Sequence, residues 1–195
     1  MTVRISESAG SSGKIPRGGQ AEVTRSFAEL VGDEARFRLW YDDALPRVYR
    51  YLLARCGDQT VAEDVTQEAF VEAVRSRRRF GGRSDPVTWI CAIGRNRLAD
   101  HVRREHREAN RHLRLIHQQS DREFSPWRQS DIREDVERAL GTLAPDQRLV
   151  LMLRYLDGMR VKEIARLLRR TESATESLLG RARERFRSAY QGTES

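Results

Sequence analysis

Apolar residues along this chain return every three or four positions, and no strand-like alternation competes with that period. The first stripe is Phe37, Trp40, Tyr41, Leu45, Val48, Tyr49 and Leu52. A period near 3.6 gathers such residues on one side of an α-helix, whereas a half-buried strand needs a period of two. A second stripe follows: Val61, Val65, Ala69 and Ala73 along one edge, with Phe70 and Val74 beside it. Trp89, Ile93 and Leu98 make a third, which runs on into the charged "RNRLADHVRREHRE". After residue 131 come Ile132, Val136 and Leu140; Leu149, Val150 and Leu153; Ile164 and Leu168; and Leu179, Ala182 and Phe186. The fold class expected is all-α.

The punctuation between stripes sets the expected boundaries. Pro46 should kink or divide the first helix, since proline lacks the N–H that an interior turn needs. Thr60 with Glu63 three residues on resembles a capping box that starts the second. "GGRSDP" then breaks the chain, and Pro86 suits the first turn of the next helix. Residues 1–30 are rich in Ser and Gly and carry no sustained period, so they are expected to form a disordered extension. Residues 108–130 lose the period again and are expected to be a flexible linker, within which Phe124 and Trp127 are candidates to dock. Two small helical domains result, 31–107 and 131–190.

Charge narrows the partners. The 195 residues carry a formal net charge of +7, nearly all of the positive side as arginine. Such an excess points to an anionic partner, nucleic acid or a membrane surface. No run approaches the roughly 18 apolar residues that cross a bilayer, so membrane insertion is not expected. No secretory signal is legible, and Cys56 and Cys91 read as structural thiols of a reducing cytoplasm. His101, His106, His112 and His117 lack the carboxylate or cysteine company of a metal site. There is no Gly-rich phosphate loop and no nucleophile motif. No catalytic residue, metal site or cofactor is therefore expected.

Two stretches carry the function. "VKEIARLLRRTESATESLLGRARERF" (161–186) reads as a short helix, a polar turn and a second helix, a helix-turn-helix. Residues 160–190 hold nine Arg or Lys against four Glu, which can neutralise phosphates. The second stretch is a charge step. Residues 58–72 contain Asp58, Glu63, Asp64, Glu68 and Glu72 and no base, while residues 75–107 contain ten Arg against three acids. The two can pair internally. Alternatively the acidic face meets a basic protein and the basic face meets nucleic acid, with Trp89 as core or as a stacking platform for single-stranded bases.

"DVTQEAFVEAV" (64–74), "TWICAIGRNRLADHVRR" (88–104) and "LGTLAPDQRLVLMLRYLDGMRVKEIARLL" (140–168) resemble the extracytoplasmic-function group of bacterial sigma-70-type sigma factors. The likeness covers residues 35–107 and 131–190. It implies a subunit that binds core RNA polymerase and directs it to promoters. The first domain (region 2) would melt and read the −10 element, and the second (region 4) would read the −35 element as duplex. It places Asp64, Gln67, Glu68 and Phe70 on the β′ coiled coil of the polymerase. Trp89, Arg95, Asn96, Arg97, Arg103 and Arg104 would serve the −10 element, Asn96 holding an extruded base. Arg169, Arg170, Thr171, Ser173, Thr175, Glu176, Ser177, Arg181 and Arg183 would serve the −35 element. The resemblance also implies contact with the β flap and an anti-sigma partner.

The chain departs from that family where the recognition helix begins. "SATESLLGRAR" places Glu176 at a position that is usually basic, and Leu178 at another. Two other classes remain open on the residues alone. A self-standing DNA-binding regulator would need no polymerase, and a recombinase with a helix-turn-helix tail would need a nucleophile or carboxylate cluster elsewhere.

Overall fold

The computed structural model describes residues 27–112 and 131–191. Most of the expected extension and linker, with Phe124 and Trp127, lies outside the described residues, as does the side chain of Ile132. The described chain is helical, with no strand among the described residues. The first unit comprises α1 (Phe27–Gly32), α2 (Glu34–Cys56), α3 (Gln59–Arg75), a 3₁₀ turn (Arg77–Arg79) and α4 (Pro86–His112). The second comprises α5 (Asp131–Gly141), α6 (Pro145–Tyr155), α7 (Val161–Leu168) and α8 (Glu172–Gln191).

Local chemistry corrects three expected boundaries. Pro46 does not divide α2, which runs unbroken from Glu34 to Cys56. Proline removes one hydrogen bond, but Ala44, Val48 and Leu52 on either side of it are all fully buried and hold both halves to one core. The cap of α3 is Asp58, not Thr60: its carboxylate accepts the Val61 N–H at 3.0 Å. The helix α4 continues to His112, beyond the expected boundary at 107.

The fourth correction adds an element. Residues 27–30 belong to the core of the first unit and not to an extension. Phe27 is 1% exposed and meets Trp40, Phe80 and Trp89 edge-on at ring separations of 5.4, 5.9 and 5.6 Å. Edge-to-face contact of this kind sets the positive rim of one ring on the negative face of another. The helices α2, α3 and α4 pack mutually, and α1 seals the aromatic end against α2 and the 3₁₀ turn. Gly94 permits the crossing of α4 on α2: a Cβ there would stand 2.9 Å from Leu52 Cδ1.

The second unit is built on α6. Residues Arg148 to Leu153 are six in succession, and every one of them is buried. A helix apolar on one face needs one partner layer, whereas one buried all round needs two. The helices α7 and α8 cover α6 from within its own unit, and α2 and α4 of the first unit cover it from outside. One apolar core therefore runs from Phe27 to Ala182 through both units.

Polar contacts stitch the same seam. The Arg55 guanidinium grips the Asp157 carboxylate with two prongs, Nε donating to Oδ2 at 3.2 Å and Nη2 to Oδ1. Their side chains are 8% and 9% exposed. The Tyr51 hydroxyl donates to the same carboxylate at 3.1 Å, and the Arg55 guanidinium lies 3.3 Å over the Tyr51 ring. Burial pushes the Tyr51 phenol up to about 12, so it stays a donor at any physiological pH. Arg148 reaches across to the Ala54 carbonyl at 3.1 Å while pairing with Glu137 in its own unit at 3.2 Å. Gly57 makes room for it. The residue sits at φ 71°, and a Cβ would lie 2.7 Å from the guanidinium carbon of Arg148.

Phe27→Ala is expected to destabilise the protein by about 3 kcal/mol, the usual cost of emptying a buried aromatic site. A urea titration followed by far-UV circular dichroism measures it. A loss under about 1 kcal/mol would show that α1 is not part of the core.

Candidate nucleic-acid interface

The charge step survives folding as two opposed faces on adjacent helices. On α3, Asp64, Gln67 and Glu68 are exposed and follow the i, i+3, i+4 spacing of one helix face. The next position of that stripe is Val71, an apolar side chain left 48% exposed. Its signal in the sequence is its place at i+7 from Asp64. Phe70 does not belong to this surface. It is 4% exposed and packs against the Tyr41 ring at 4.8 Å, because its position on α3 faces α2. Alongside lies a groove of about 400 Å³ between α2 and α3, lined by Tyr41, Leu45, Pro46, Tyr49, Glu63, Thr66 and Gln67.

The basic residues lie on α4 and on the turn before it. Asn96 and Arg104 are exposed, and Arg95 and Arg97 are half-buried. Arg97 crosses to Glu72 of α3 at 3.0 Å, so internal pairing accounts for part of the charge step. The Nε of Arg95 is buried without a hydrogen-bond partner. Arg103 is engaged elsewhere, donating to Asp100 and to the Leu167 carbonyl at the end of α7. Trp89 is core on one side, clustered with Phe27 and Phe80, and only partly open to a base. Arg75, Arg78, Arg79 and Arg83 are exposed around the 3₁₀ turn and the loop after it. Their density in 75–83 was the available signal, although no single one of them stood out.

The helix-turn-helix forms as α7 and α8. Ile164, Ala165 and Leu168 of α7 and Leu178, Leu179 and Ala182 of α8 are buried between them and α6. Leu178 at a usually basic position is therefore core, 2% exposed. Arg169 ends α7 in the left-handed region at φ 51°. Thr171 then caps α8, its hydroxyl accepting the Ala174 N–H at 3.1 Å. Thr175 cannot contact a base edge: it is fully buried and its hydroxyl donates to the Thr171 carbonyl at 2.9 Å. One turn of helix from the cap points inward at that position. Ser173, Glu176, Ser177, Arg181 and Arg183 are exposed, as are Arg169 and Thr171. Arg170 is partly withdrawn by Asp146, 3.1 Å away.

The two thiols and one histidine depart from their ordinary pKa values. Burial pushes both thiols up, Cys91 to about 11, which keeps them protonated and poorly nucleophilic. His101 stands 3.5 Å from Glu105, and the hydrogen bond to that carboxylate raises its pKa. Among the described residues no group of three or more His, Cys, Asp or Glu could hold a metal ion. No helix among them is long and apolar enough to cross a membrane.

Comparison with known proteins agrees with this arrangement. The Sigma-70 region 2 family matches residues 40–108, and the Sigma-70, region 4 family matches residues 133–186. The chain is 31% identical to the ECF RNA polymerase sigma factor SigM of Bacillus subtilis, over 73% of this chain and 88% of that protein. It is 29% identical to the ECF RNA polymerase sigma factor SigX of the same organism, over 74% of this chain and 78% of that protein. The fold resembles that of the sigma factor RpoE crystallised with the anti-sigma factor NepR from Bartonella quintana. That likeness has a TM-score of 0.50 at 21% identity and covers 80% of this chain and 96% of that one. With the region 2 match inside the first unit, the region 4 match inside the second and both in order, the chain belongs to the extracytoplasmic-function sigma factors of the sigma-70 family, which direct promoter-specific initiation of transcription.

Proposed function

We propose that the two faces of the first unit divide the work of a sigma factor. The stripe Asp64, Gln67, Glu68 and Val71 docks on the β′ coiled coil of core RNA polymerase, and Asn96 with Arg95, Arg97 and Arg104 reads the melted −10 element. The observation that carries this reading is the opposition of charge on adjacent helices. An exposed acidic stripe with one apolar residue at its end suits a basic protein partner. An exposed amide among arginines suits an unpaired base held by its phosphates.

The second unit reads the −35 element through Ser173, Glu176, Ser177 and Arg181 on α8. Phosphates are held by Arg169, Thr171 and Arg183, with a smaller share for Arg170. The mate of Glu176 is the amino group of cytosine, from which a carboxylate accepts a hydrogen bond in the major groove. Near the start of α8 its charge also favours the helix dipole. The β flap is the further polymerase contact of this unit. The protein acts in the cytoplasm, where polymerase and chromosome are, and an anti-sigma partner would hold it inactive.

Asn96→Ala should change −10 preference by a factor of about 5 to 100, the worth of one base contact, with affinity for core polymerase unchanged. Permanganate footprinting of the −10 thymines alongside a core-binding titration separates the two, and a parallel loss of core affinity would sink the assignment. Glu68→Lys should do the converse, weakening core binding by about tenfold while leaving the −10 preference of the remaining holoenzyme intact. Glu176→Lys adds attraction for phosphate, so it should raise non-specific duplex binding, steepen the salt dependence by about one to two ions and blur −35 choice. Unchanged −35 choice in promoter selections would reduce Glu176 to a helix-start residue.

A further inference from the structure

We infer that the segment Lys14, Ile15, Pro16 and Arg17 of this chain docks in the groove between α2 and α3, and there competes with core RNA polymerase for the acidic stripe. The competition rests on the sigma reading above, whereas the docking stands on the groove and the segment alone. Tyr41, Leu45, Pro46 and Tyr49 of α2 form the apolar wall of the groove, and Glu63 and Gln67 stand on the α3 side. Grooves walled by aromatic rings take proline-containing extended segments, because such a segment is already stiff and loses little entropy on docking.

The chemistry of the segment matches that groove. Pro16 fixes its own φ and disposes Ile15 to an extended conformation, which presents two apolar side chains in succession. Lys14 and Arg17 bracket them with positive charge. The charges beside the groove are mainly acidic: Asp42, Glu63, Asp64 and Glu68 are exposed there, against Arg38 and Arg50. Arg50 is held on the Pro46 carbonyl at 3.2 Å, and Arg47 is turned to Asp43 and Asp85. A cationic, apolar segment is therefore the complement of this surface in both charge and polarity.

The segment also reaches. Phe27, where α1 begins, packs its ring 5.4 Å from that of Trp40, which adjoins Tyr41 at one end of the groove. From Tyr41 to Tyr49 the groove runs about 12 Å along α2, at about 1.5 Å per residue. The chain between Arg17 and Phe27 spans about 33 Å at full extension, enough to cover the whole groove with slack. A short tether supplies an effective concentration on the order of 1 mM, so docking with an intrinsic Kd of about 0.25 mM fills the groove about four-fifths of the time. Gln67 belongs both to the groove and to the exposed stripe, so the segment and the polymerase exclude each other there. The apparent affinity for polymerase then falls by the fraction left open, about fivefold.

The test uses the full chain in two forms, with the photo-crosslinker p-benzoylphenylalanine in place of Ile15, and with Ile15→Asp. Both changes precede α1 and leave every residue of the described core in place. After irradiation of the first, mass spectrometry should map the crosslinks to residues 41–49 and 63–67 of the same chain, with a yield independent of protein concentration. Crosslinks to other parts of the chain, or a crosslinked dimer that shows a second copy in the groove, overturn the docking. In a core-polymerase titration Ile15→Asp should bind about fivefold more tightly than the unaltered chain, with helicity by circular dichroism unchanged. Equal affinity of the two overturns the competition. If no form of the chain binds core polymerase, the sigma reading fails instead, and the crosslinks still decide whether the segment occupies the groove.

Discussion

The structure depends on one constraint: α6 is buried all round over residues 148–153. Six successive residues from Arg148 to Leu153 are buried, so the helix must be covered on both sides. Its own unit supplies α7 and α8, and the first unit supplies α2 and α4. The arginine in that run is buried because its guanidinium leaves the helix sideways to the Ala54 carbonyl and Glu137. The long-range ion pair Arg55–Asp157 and the glycine at position 57 follow from the same close approach. Two units that a tether alone could have left apart are thereby joined in one core.

The functional faces are placed by what the cores leave over. Three helices of the first unit pack closely enough that α4 crosses α2 at Gly94. Their outer surfaces then carry opposite charge within one helix diameter, acid on α3 and base on α4. Arg97 and Glu72 join across the step, while Asp64, Gln67 and Glu68 on one side and Asn96 and Arg104 on the other remain exposed. In the second unit the inward positions of α8 are Thr175, Leu178, Leu179 and Ala182, which leaves Ser173, Glu176, Ser177 and Arg181 facing out. The odd residue at a usually basic position, Leu178, is explained by that geometry.

Helix content, the helix-turn-helix and the charge step were legible because each is a local pattern of period 3.6 or of composition. What was missed depended on long-range contacts. Phe27, Leu30 and Val31 make too short an apolar run to show a period, and ring neighbours from distant segments make Phe27 core. Phe70 and Thr175 matched family positions, yet neighbouring helices turn them inward. Of the two expectations for Pro46, a kink or a division, the division does not occur, because the sequence shows the lost hydrogen bond and not the burial on either side of it. The run "RLVLML" did hold a signal, since an apolar stretch without a polar side implies two partner layers. It was read as one stripe of an ordinary helix, and the seam was missed with it.

Run-off transcription is the most direct test of the central claim. Purified core polymerase is given genomic promoter fragments with and without the full-length protein, and transcript starts are mapped. The account predicts new start sites that appear only when protein and core are together, and little duplex footprint from the protein alone. No new start sites, with a strong footprint from the free protein, would contradict it.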